Sequence, residues 1–337
     1  MKRLAALAVV TAALIGTSLF GTSAAFGADS LASRVKQADG WVAWDVPMIA
    51  GAGDPCCWSG HGDHAEGRIG CDLDGRNHGF STNDQPKPPT TGTLAVYAHV
   101  THARMDDVRA FEASCPVHAA NAIRHIDGVA PTDSIGMLAE WMESPDAKHD
   151  DDALPAIAYH ADPAATRLLA ARAEPSHDRK QREDALFWLG QARGEDGAAI
   201  VERYATTDGD PKLREHAIFA LSQSHAGDPY ERIHAIAGSD PADHVRSQAL
   251  FWMAQMGDKR AASDITAAIE HDVSSSVREQ GVFALSQIEG GAGEDALIAL
   301  LKGNYPRDVK KQALFWLGQS GSPRAMQYFD EALTKSR

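Results

Sequence analysis

One pattern of eight residues occurs six times in this chain at a constant spacing of 32 residues. The copies begin at residues 153, 185, 217, 249, 281 and 313 and read ALPAIAYH, ALFWLGQA, AIFALSQS, ALFWMAQM, GVFALSQI and ALFWLGQS. A fixed period of this length is typical of a chain built by stacking one small unit. The repeat therefore constrains the architecture strongly and the function little, because repeated residues mostly hold such a stack together.

Each copy contains two apolar segments that lie about 16 residues apart. We number positions from the first residue of each copy, which is position zero. The first segment is apolar over most of its circumference, which is typical of a helix packed on several sides. The second segment, such as GAAIVERY from Gly197, is amphipathic at helical spacing. Phenylalanine occupies position two in five copies, and we expect it to fill the core, as at Phe251. We therefore predict a mainly α protein whose C-terminal part is an α-solenoid of about six 32-residue helical hairpins.

A short motif, an apolar residue followed by a basic one, lies just before the first apolar segment in most copies. It reads Leu213-Arg214, Val245-Arg246, Val277-Arg278 and Val309-Lys310, with a weaker Gln181-Arg182. Together with the apolar helix, this motif resembles the HEAT-repeat proteins, in particular the short bacterial HEAT-like repeats also found in phycobilisome lyases. The resemblance covers roughly residues 150–335 and implies a right-handed solenoid of antiparallel helix pairs. HEAT-like repeats serve many functions, so the resemblance does not select one.

The basic residue of this motif is predicted to pair with nearby turn carboxylates in a solvated ladder, in which each pair contributes only ~0–1 kcal/mol. The first copy departs from the pattern, because Pro155 replaces the phenylalanine and Asp150 stands where the basic residue is expected. Terminal repeats are usually atypical. We therefore predict that the first copy is a capping unit joined to the preceding domain.

The first 27 residues have the layout of a secretory signal peptide, with a basic start at Lys2 and Arg3, an apolar stretch, and small residues at Ala25 and Gly27. We predict cleavage after Gly27, a periplasmic or secreted location, and no membrane span in the mature chain. The apolar stretch is shorter than the ~20 residues that span a bilayer, which disfavours the alternative of a membrane anchor. The net charge of −14 becomes −16 without the two basic residues, and such an acidic chain disfavours nucleic acid as a partner.

Residues 28–145 are predicted to form a small α+β domain, and residues 146–337 the solenoid. The segment LAVYAHVT from Leu94 alternates between apolar and polar residues as a half-buried strand does. The segment VRAFEAS from Val108 is a second strand candidate, so the two predict a hairpin.

All four cysteines lie before the repeats, at Cys56, Cys57, Cys71 and Cys115. In an exported chain they predict two disulfides. Because a ring closed by adjacent cysteines is strained, we expect Cys56 and Cys57 to pair separately with Cys71 and Cys115, in either order.

The same region offers an alternative, a metal site for zinc or copper with soft and borderline ligands. Its candidate ligands are Cys56, Cys57, His61, His64, Cys71 and His78. Their spacing matches no tetrahedral zinc pattern that we can name, so disulfides beside exposed histidines are the favoured interpretation. No cofactor is predicted.

Two repeated features supply candidate partner-binding residues. Position six is glutamine in five copies, at Gln191, Gln223, Gln255, Gln287 and Gln319. Position three alternates with alanine and carries Trp188, Trp252 and Trp316. Packing is the favoured role of the tryptophans, and hydrogen bonding to the turns is that of the glutamines; the alternative for both is contact with a partner. The second helices add Arg203 and His234, on the face where we expect a partner to bind.

These features predict an exported scaffold that binds a protein or peptide on a solenoid face and performs no catalysis. Catalytic motifs such as G-x-S-x-G and H-E-x-x-H do not occur in the sequence. Two alternatives remain. One is a tetrapyrrole (bilin) lyase-like enzyme, which only the repeat resemblance implies. The other is a metal or thiol function of the N-terminal domain.

Overall fold

The computed structural model describes residues 30–53, 55–59, 67–68, 70–75, 91–144 and 153–335. The predicted signal peptide lies outside these residues, as do His61, His64 and His78 and the predicted boundary between residues 145 and 146. Within the described residues, no helix is long and apolar enough to cross a membrane.

A four-stranded sheet forms the centre of the N-terminal part. It consists of β1 (Gly40–Pro47), β5 (Thr93–Thr101), β6 (Arg104–Glu112) and β8 (Arg124–His125), in the order β6-β5-β1-β8. Strands β5 and β6 form the predicted hairpin. Helices α1 (Leu31–Lys36) and α2 (Pro131–Met142) contribute to the core on one face of the sheet, where Trp44 and Val96 are fully buried.

The second face of the sheet is also covered, which the alternating pattern of β5 did not predict. Tyr97 on this face is only 9% exposed, because Trp41 and Leu73 pack beside it in a second apolar cluster. Leu73 follows the short strand β4 (Cys71–Asp72), which pairs with β7 (Val117–His118). The remaining short strands, β2 (Trp58–Ser59) and β3 (Gly67–Arg68), pair with each other. Strand β5 is therefore buried on both faces rather than half-buried.

The two disulfides join Cys56 to Cys115 and Cys57 to Cys71, with Cα atoms 5.7 and 5.3 Å apart. This confirms the expected pairing and settles its order. The bonds hold the segment that covers the second face of the sheet.

The C-terminal part consists of six stacked helix pairs, which confirms the predicted solenoid. Units 1 to 6 are α3 (Ala153–Tyr159) with α4 (Pro163–Arg172), α5 (Arg179–Ala192) with α6 (Gly194–Thr207), α7 (Pro211–Ser222) with α8 (Pro229–Ser239), α9 (Asp243–Gln255) with α10 (Ala261–His271), α11 (Ser275–Ser286) with α12 (Ala292–Lys302), and α13 (Arg307–Ser320) with α14 (Pro323–Lys335). From unit 2 onward, successive first helices contact one another and successive second helices do the same, so the units form two layers.

The core between the layers is filled from positions zero, one and four in units 1 to 5, and from positions zero and four in unit 6. In unit 2 these are Ala185, Leu186 and Leu189, all fully buried. The phenylalanines at position two do not belong to this core: Phe251, for example, is half-buried. The expected core role of position two is therefore wrong. Helical geometry turns this position about 100° away from position one, toward the outer side of the first-helix layer.

Arg182, Arg214 and Arg246 are largely buried rather than solvated, which corrects the predicted ladder, while Arg278 is more exposed. The Arg214 guanidinium donates to both carboxylate oxygens of Asp240, at 2.7 and 2.9 Å, and these side chains are only 9% and 2% exposed. It also donates to the backbone carbonyl of Asp208 in the preceding unit, at 2.9 Å. Arg246 repeats this arrangement with Asp272. Each arginine therefore ties the turn of its own unit to the turn of the unit before.

The N-terminal part packs directly on unit 1, in agreement with the predicted capping role of the first copy. Helix α2 contacts α3 and α4, and Met48 forms a β-bridge with His160 at the end of α3. His160 and Ser134 are fully buried at this junction. The Ser134 hydroxyl accepts a hydrogen bond from Trp44 Nε1 at 2.8 Å and lies 2.9 Å from His160 Nε2.

The buried imidazole of His160 is held in its neutral form. Burial and, to a smaller extent, the charge of the nearby Arg193 guanidinium lower the pKa of His160 to about 4. Its Nδ1 lies 2.6 Å from the carbonyl oxygen of Ala156, so Nδ1 carries the proton and Nε2 of the neutral ring accepts from Ser134. The unfolded chain has a histidine pKa near 6.5 and so binds more protons than the folded chain between these values. The stability that His160 contributes is present above pH ~6.5 and is lost as the pH falls toward ~4.

We therefore expect the free energy of unfolding to fall by about 2 kcal/mol between pH 7 and pH 5 through His160 alone. Urea unfolding at the two pH values, compared with the same measurement on His160→Gln, isolates this contribution because the variant has no imidazole to titrate. Equal pH dependence in both proteins would contradict the assignment of a neutral, buried His160.

Candidate functional site

A continuous row of half-exposed rings runs along the outer side of the first helices. This aromatic row consists of Phe187, Trp188, Phe219, Phe251, Trp252, Phe283, Phe315 and Trp316. Two kinds of contact alternate between units. Phenylalanines stack in the pairs Phe187–Phe219 and Phe251–Phe283, with ring centroids 5.7 and 6.2 Å apart. Phe219 then contacts Trp252, and Phe283 contacts Trp316, each at 4.9 Å.

The alternation of tryptophan and alanine at position three produces this order of contacts. Where the residue is alanine, as at Ala220, it is fully buried against the preceding first helix. Where it is tryptophan, the indole packs partly on the core and partly on the phenylalanine of the preceding unit. The tryptophans are therefore neither fully internal nor isolated on the surface.

Three polar atoms beside the middle of the row are buried and have no hydrogen-bond partner among the described residues. They are His216 Nε2, Ser247 Oγ and Trp252 Nε1. Burial lowers the pKa of His216, although the carboxylate of Glu183 opposes the shift. A buried polar atom without a partner is costly, and because these three atoms do not reach the surface they are not available to a partner.

The glutamine row lies one helical turn from the phenylalanines, on the same face. In units 3 and 5 the side-chain amides of Gln223 and Gln287 donate to Ser222 and Ser286 at 3.0 Å. These hydroxyls donate in turn to the carbonyls of their own helices. Gln223 and Gln287 therefore bond to neighbouring side chains rather than to the turns, and their carbonyl oxygens accept no hydrogen bond from the described residues. We call the aromatic row and the glutamine row together the first-helix face.

Arg203 and His234 lie away from this face, because they belong to the second helices. The Arg203 guanidinium lies over the ring of Tyr204, 4.9 Å from its centroid. His234 lies near Tyr230 and 4.0 Å from the Glu231 carboxylate. The ten predicted partner-binding residues are therefore divided between two layers, with the glutamines and tryptophans together and these two apart.

Charges on the second helices are largely paired within the solenoid. Arg232 of unit 3 bonds to Glu195 and Glu202 of unit 2. Arg260 of unit 4 bonds to Asp228 of unit 3 at 3.1 Å and to Asp258 of its own unit. These groups hold adjacent units together, so fewer of them are available to a partner. The first-helix face offers the larger continuous surface of rings and amides.

The alternative metal site is not formed as thiolates in this structure, because all four cysteines are in disulfides. The sulfurs of Cys56, Cys71 and Cys115 do lie within 4.8 Å of one another. A sulfur bound in a disulfide is not a thiolate and is not the metal-binding form of cysteine. The three candidate histidine ligands lie outside the described residues.

Sequence motifs do not identify the buried residues at the junction or the carboxylates of the ladder. At the junction, Arg193 donates to the carbonyls of Ala158 and His160. Arg193 and His160 each occur in one copy only, so the 32-residue period does not mark them. The ladder had a visible signal. Its carboxylates Asp208, Asp240 and Asp272 recur at the 32-residue period of the copies.

Comparison with known proteins supports the repeat assignment. A family model described as HEAT repeats matches residues 197–286, which confirms the resemblance inferred from the motif. Among curated proteins, no sequence matches this chain significantly.

Solved structures with a similar fold include three proteins of different kinds. Escherichia coli YibA is 21% identical, with 57% of this chain and 71% of that chain covered and a TM-score of 0.36. Human deoxyhypusine hydroxylase, in complex with glycerol, is 16% identical, with 57% and 80% covered and a TM-score of 0.31. The CpcE–CpcF complex of phycocyanin lyase from Nostoc is 18% identical, with 60% and 82% covered and a TM-score of 0.31. All three scores are low, and none of these activities is transferred to this chain.

Proposed function

Because the chain carries HEAT repeats, we propose that it is a non-catalytic scaffold that binds an extended segment of a partner protein along the first-helix face. The observation that supports this proposal is the unbroken aromatic row, which crosses five units with a glutamine row beside it. Rings supply apolar contact area, and carboxamides can hydrogen-bond to both the N–H and C=O groups of a bound backbone. If the predicted signal peptide is used, this binding takes place in the periplasm or outside the cell.

The spacing of the units suggests the form of the bound segment. Packed helices lie about 10 Å apart, so each unit advances the face by that distance. A chain in the polyproline II conformation advances about 3.1 Å per residue with three residues per turn, so three residues match one unit and every third side chain points to the same side. We propose a segment of about a dozen residues with apolar side chains at every third position, placed between neighbouring rings.

A displayed library of random peptides about a dozen residues long provides the probe for this proposal. Panning is expected to enrich peptides with apolar residues at every third position. The double variant Phe251→Ser with Phe283→Ser should weaken a selected peptide at least about tenfold, which is a loss of about 1.4 kcal/mol. Both phenylalanines are half-buried, and circular dichroism checks that the variant still folds.

Arg203→Ala serves as the matched control, because Arg203 lies on the second-helix layer. It should leave peptide affinity unchanged. Peptides that bind equally to the double variant but lose affinity with Arg203→Ala would place the site on the second helices. Failure to enrich any peptide would count against a peptide-binding scaffold. The tetrapyrrole lyase and thiol hypotheses stay predictions, since no observation on the described residues favours them.

A further inference from the structure

The last unit exposes an apolar surface that is covered in every unit before it. Leu314 at position one is 48% exposed, whereas its equivalents Leu186, Ile218, Leu250 and Val282 are fully buried. The difference arises because each earlier first helix is covered by the next, and within the described residues no helix stacks on α13 and α14.

Two helical stripes make up this surface, which we call the end surface. On α13 the stripe is Lys311, Leu314, Phe315 and Gly318, spaced i, i+3, i+4 and i+7. On α14 it is Met326, Asp330 and Leu333. Phe315, Met326 and Leu333 are 52%, 55% and 68% exposed. Terminal repeats usually present a polar outer face, so an apolar end points to an interaction.

The shape of the end surface is that of an interface between units. Residues 313–319 have the same sequence, ALFWLGQ, as residues 185–191 of unit 2. In unit 2, Gly190 allows the backbone of α7 to approach so closely that an added Cβ would lie 2.3 Å from the carbonyl oxygen of Ala220. Gly318 has only Phe329 near it, at 4.0 Å. Phe187 stacks on the phenylalanine of the following unit, and Phe315 has no such following unit within the described residues.

We infer that the end surface binds the end surface of a second copy of this chain, which gives a two-fold symmetric dimer. The opposite end of the solenoid is already covered, because the N-terminal part packs on unit 1 through α2 and β6. Head-to-tail stacking of copies is therefore blocked at unit 1. End-to-end pairing remains, and it closes after two copies because each copy has one such surface.

Charge complementarity indicates how the two copies cross. Helices α13 and α14 are antiparallel, since a turn of two residues joins them. A two-fold axis parallel to the helices lays α13 of one copy over α14 of the other and keeps the ends of the hairpins aligned. Lys311 of one copy then lies near Asp330 of the second copy, while Leu314 and Phe315 lie against Met326.

Sedimentation velocity over about 1–100 µM of the full mature chain tests the pairing. The wild type should form a concentration-dependent dimer. Leu314→Glu should raise the dimer dissociation constant at least about tenfold, because it places a charge in the apolar contact. Ala267→Glu is the matched control, since it adds the same charge at an exposed position of α10 in unit 4, away from the end surface; it should leave the dimer unchanged.

A charge swap distinguishes this pairing from any other partner of the end surface. Lys311→Glu and Asp330→Lys should each weaken the dimer, and the double variant should restore it. A wild type that stays monomeric at the highest concentration would overturn the inference. So would a dimer that Leu314→Glu leaves intact, or one that the double variant fails to rescue. The peptide-binding test is independent of these outcomes, because it uses Phe251 and Phe283, which lie in units 4 and 5, away from the end surface.

Discussion

Replacing Arg214 with leucine is expected to lower the free energy of unfolding by about 3–5 kcal/mol. The substitution leaves the Asp240 carboxylate, which is only 2% exposed, without its bidentate partner. It also removes the hydrogen bond to the carbonyl of Asp208 and with it the link between units 2 and 3. Removing one member of a buried ion pair is costly because the remaining charge is neither solvated nor compensated.

The pKa shifts of the pair agree with this expectation. Burial alone would raise the pKa of Asp240, but the hydrogen bonds from Arg214 and the Ala242 amide, together with the charges of Arg214 and Arg246, outweigh burial and lower the pKa. The hydrogen bond with Asp240 raises the pKa of Arg214 in turn. Both groups are therefore charged in the folded protein at neutral pH.

Chemical unfolding of the wild type and the variant at pH 7, followed by tryptophan fluorescence, measures the effect. Arg278→Leu is the matched control from unit 5. The residue 26 positions after Arg278 is Asn304 rather than an aspartate, and the carboxylate of Asp308 lies 3.9 Å away. Its loss should therefore cost about 1 kcal/mol.

A double variant separates the charge effect from a packing effect. Arg214→Leu with Asp240→Leu removes both charges and should recover much of the lost stability, because apolar replacement of a whole buried pair is often tolerated. A single variant as stable as the wild type would mean that the ladder is solvated after all. A double variant less stable than the single one would mean that packing, not charge, explains the loss.

The sequence predicts this fold well wherever the same local pattern occurs several times. The spacing of apolar residues predicts the helix pairs and their number. It also predicts the burial of positions zero, one and four, as at Ala185, Leu186 and Leu189. The separate pairing of Cys56 and Cys57 follows from the strain of a ring between them, but the order of the two bonds does not. The helix pairs depend on residues close in sequence, so the pattern within one copy contains the information needed to predict them.

Features that depend on contacts between copies are harder to predict. Within a single helix, an apolar residue at position two fits a core role as well as the residues at positions zero, one and four do. Only the stacked structure places Phe251 against Phe283, where rings cover one another on the outer side of the layer. The Arg214–Asp240 pair joins residues 26 positions apart, and its burial depends on the turn of the preceding unit. Ion pairs were therefore predicted to exist, but their burial was not.

The candidate site was predicted only in part, because some of its features lie within one copy and others depend on how the copies stack. The glutamines and tryptophans come together because positions three and six lie on or directly after the first helix of a copy, which the period reveals. Arg203 and His234 were grouped with them only by their position in the solenoid, and the two-layer arrangement separates them. His160 and Arg193 act at the junction with the N-terminal domain, where no repeat pattern exists to identify them.

Gly190→Ala and Gly318→Ala change the same residue in the same seven-residue sequence, and they are expected to have opposite effects. At Gly190 the new Cβ would lie 2.3 Å from the carbonyl oxygen of Ala220 and 2.9 Å from its carbonyl carbon. Both atoms belong to backbone, so no side chain can rotate away. Helices α5 and α7 must move apart, and we expect a loss of about 3 kcal/mol. At Gly318 the Cβ meets only Phe329 at 4.0 Å, so the greater helix propensity of alanine should add up to about 1 kcal/mol.

Urea unfolding of both variants at one low protein concentration tests this pair of predictions. Near-ultraviolet circular dichroism adds a second readout, because separating α5 from α7 also disturbs the stacked rings of Phe187 and Phe219. A loss with Gly190→Ala, a gain with Gly318→Ala and a weaker aromatic signal in the first variant alone would mean that contact with the following unit decides the role of this glycine. Equal effects at both sites would mean that helix propensity decides the effect of each substitution. They would contradict the close approach of α5 and α7.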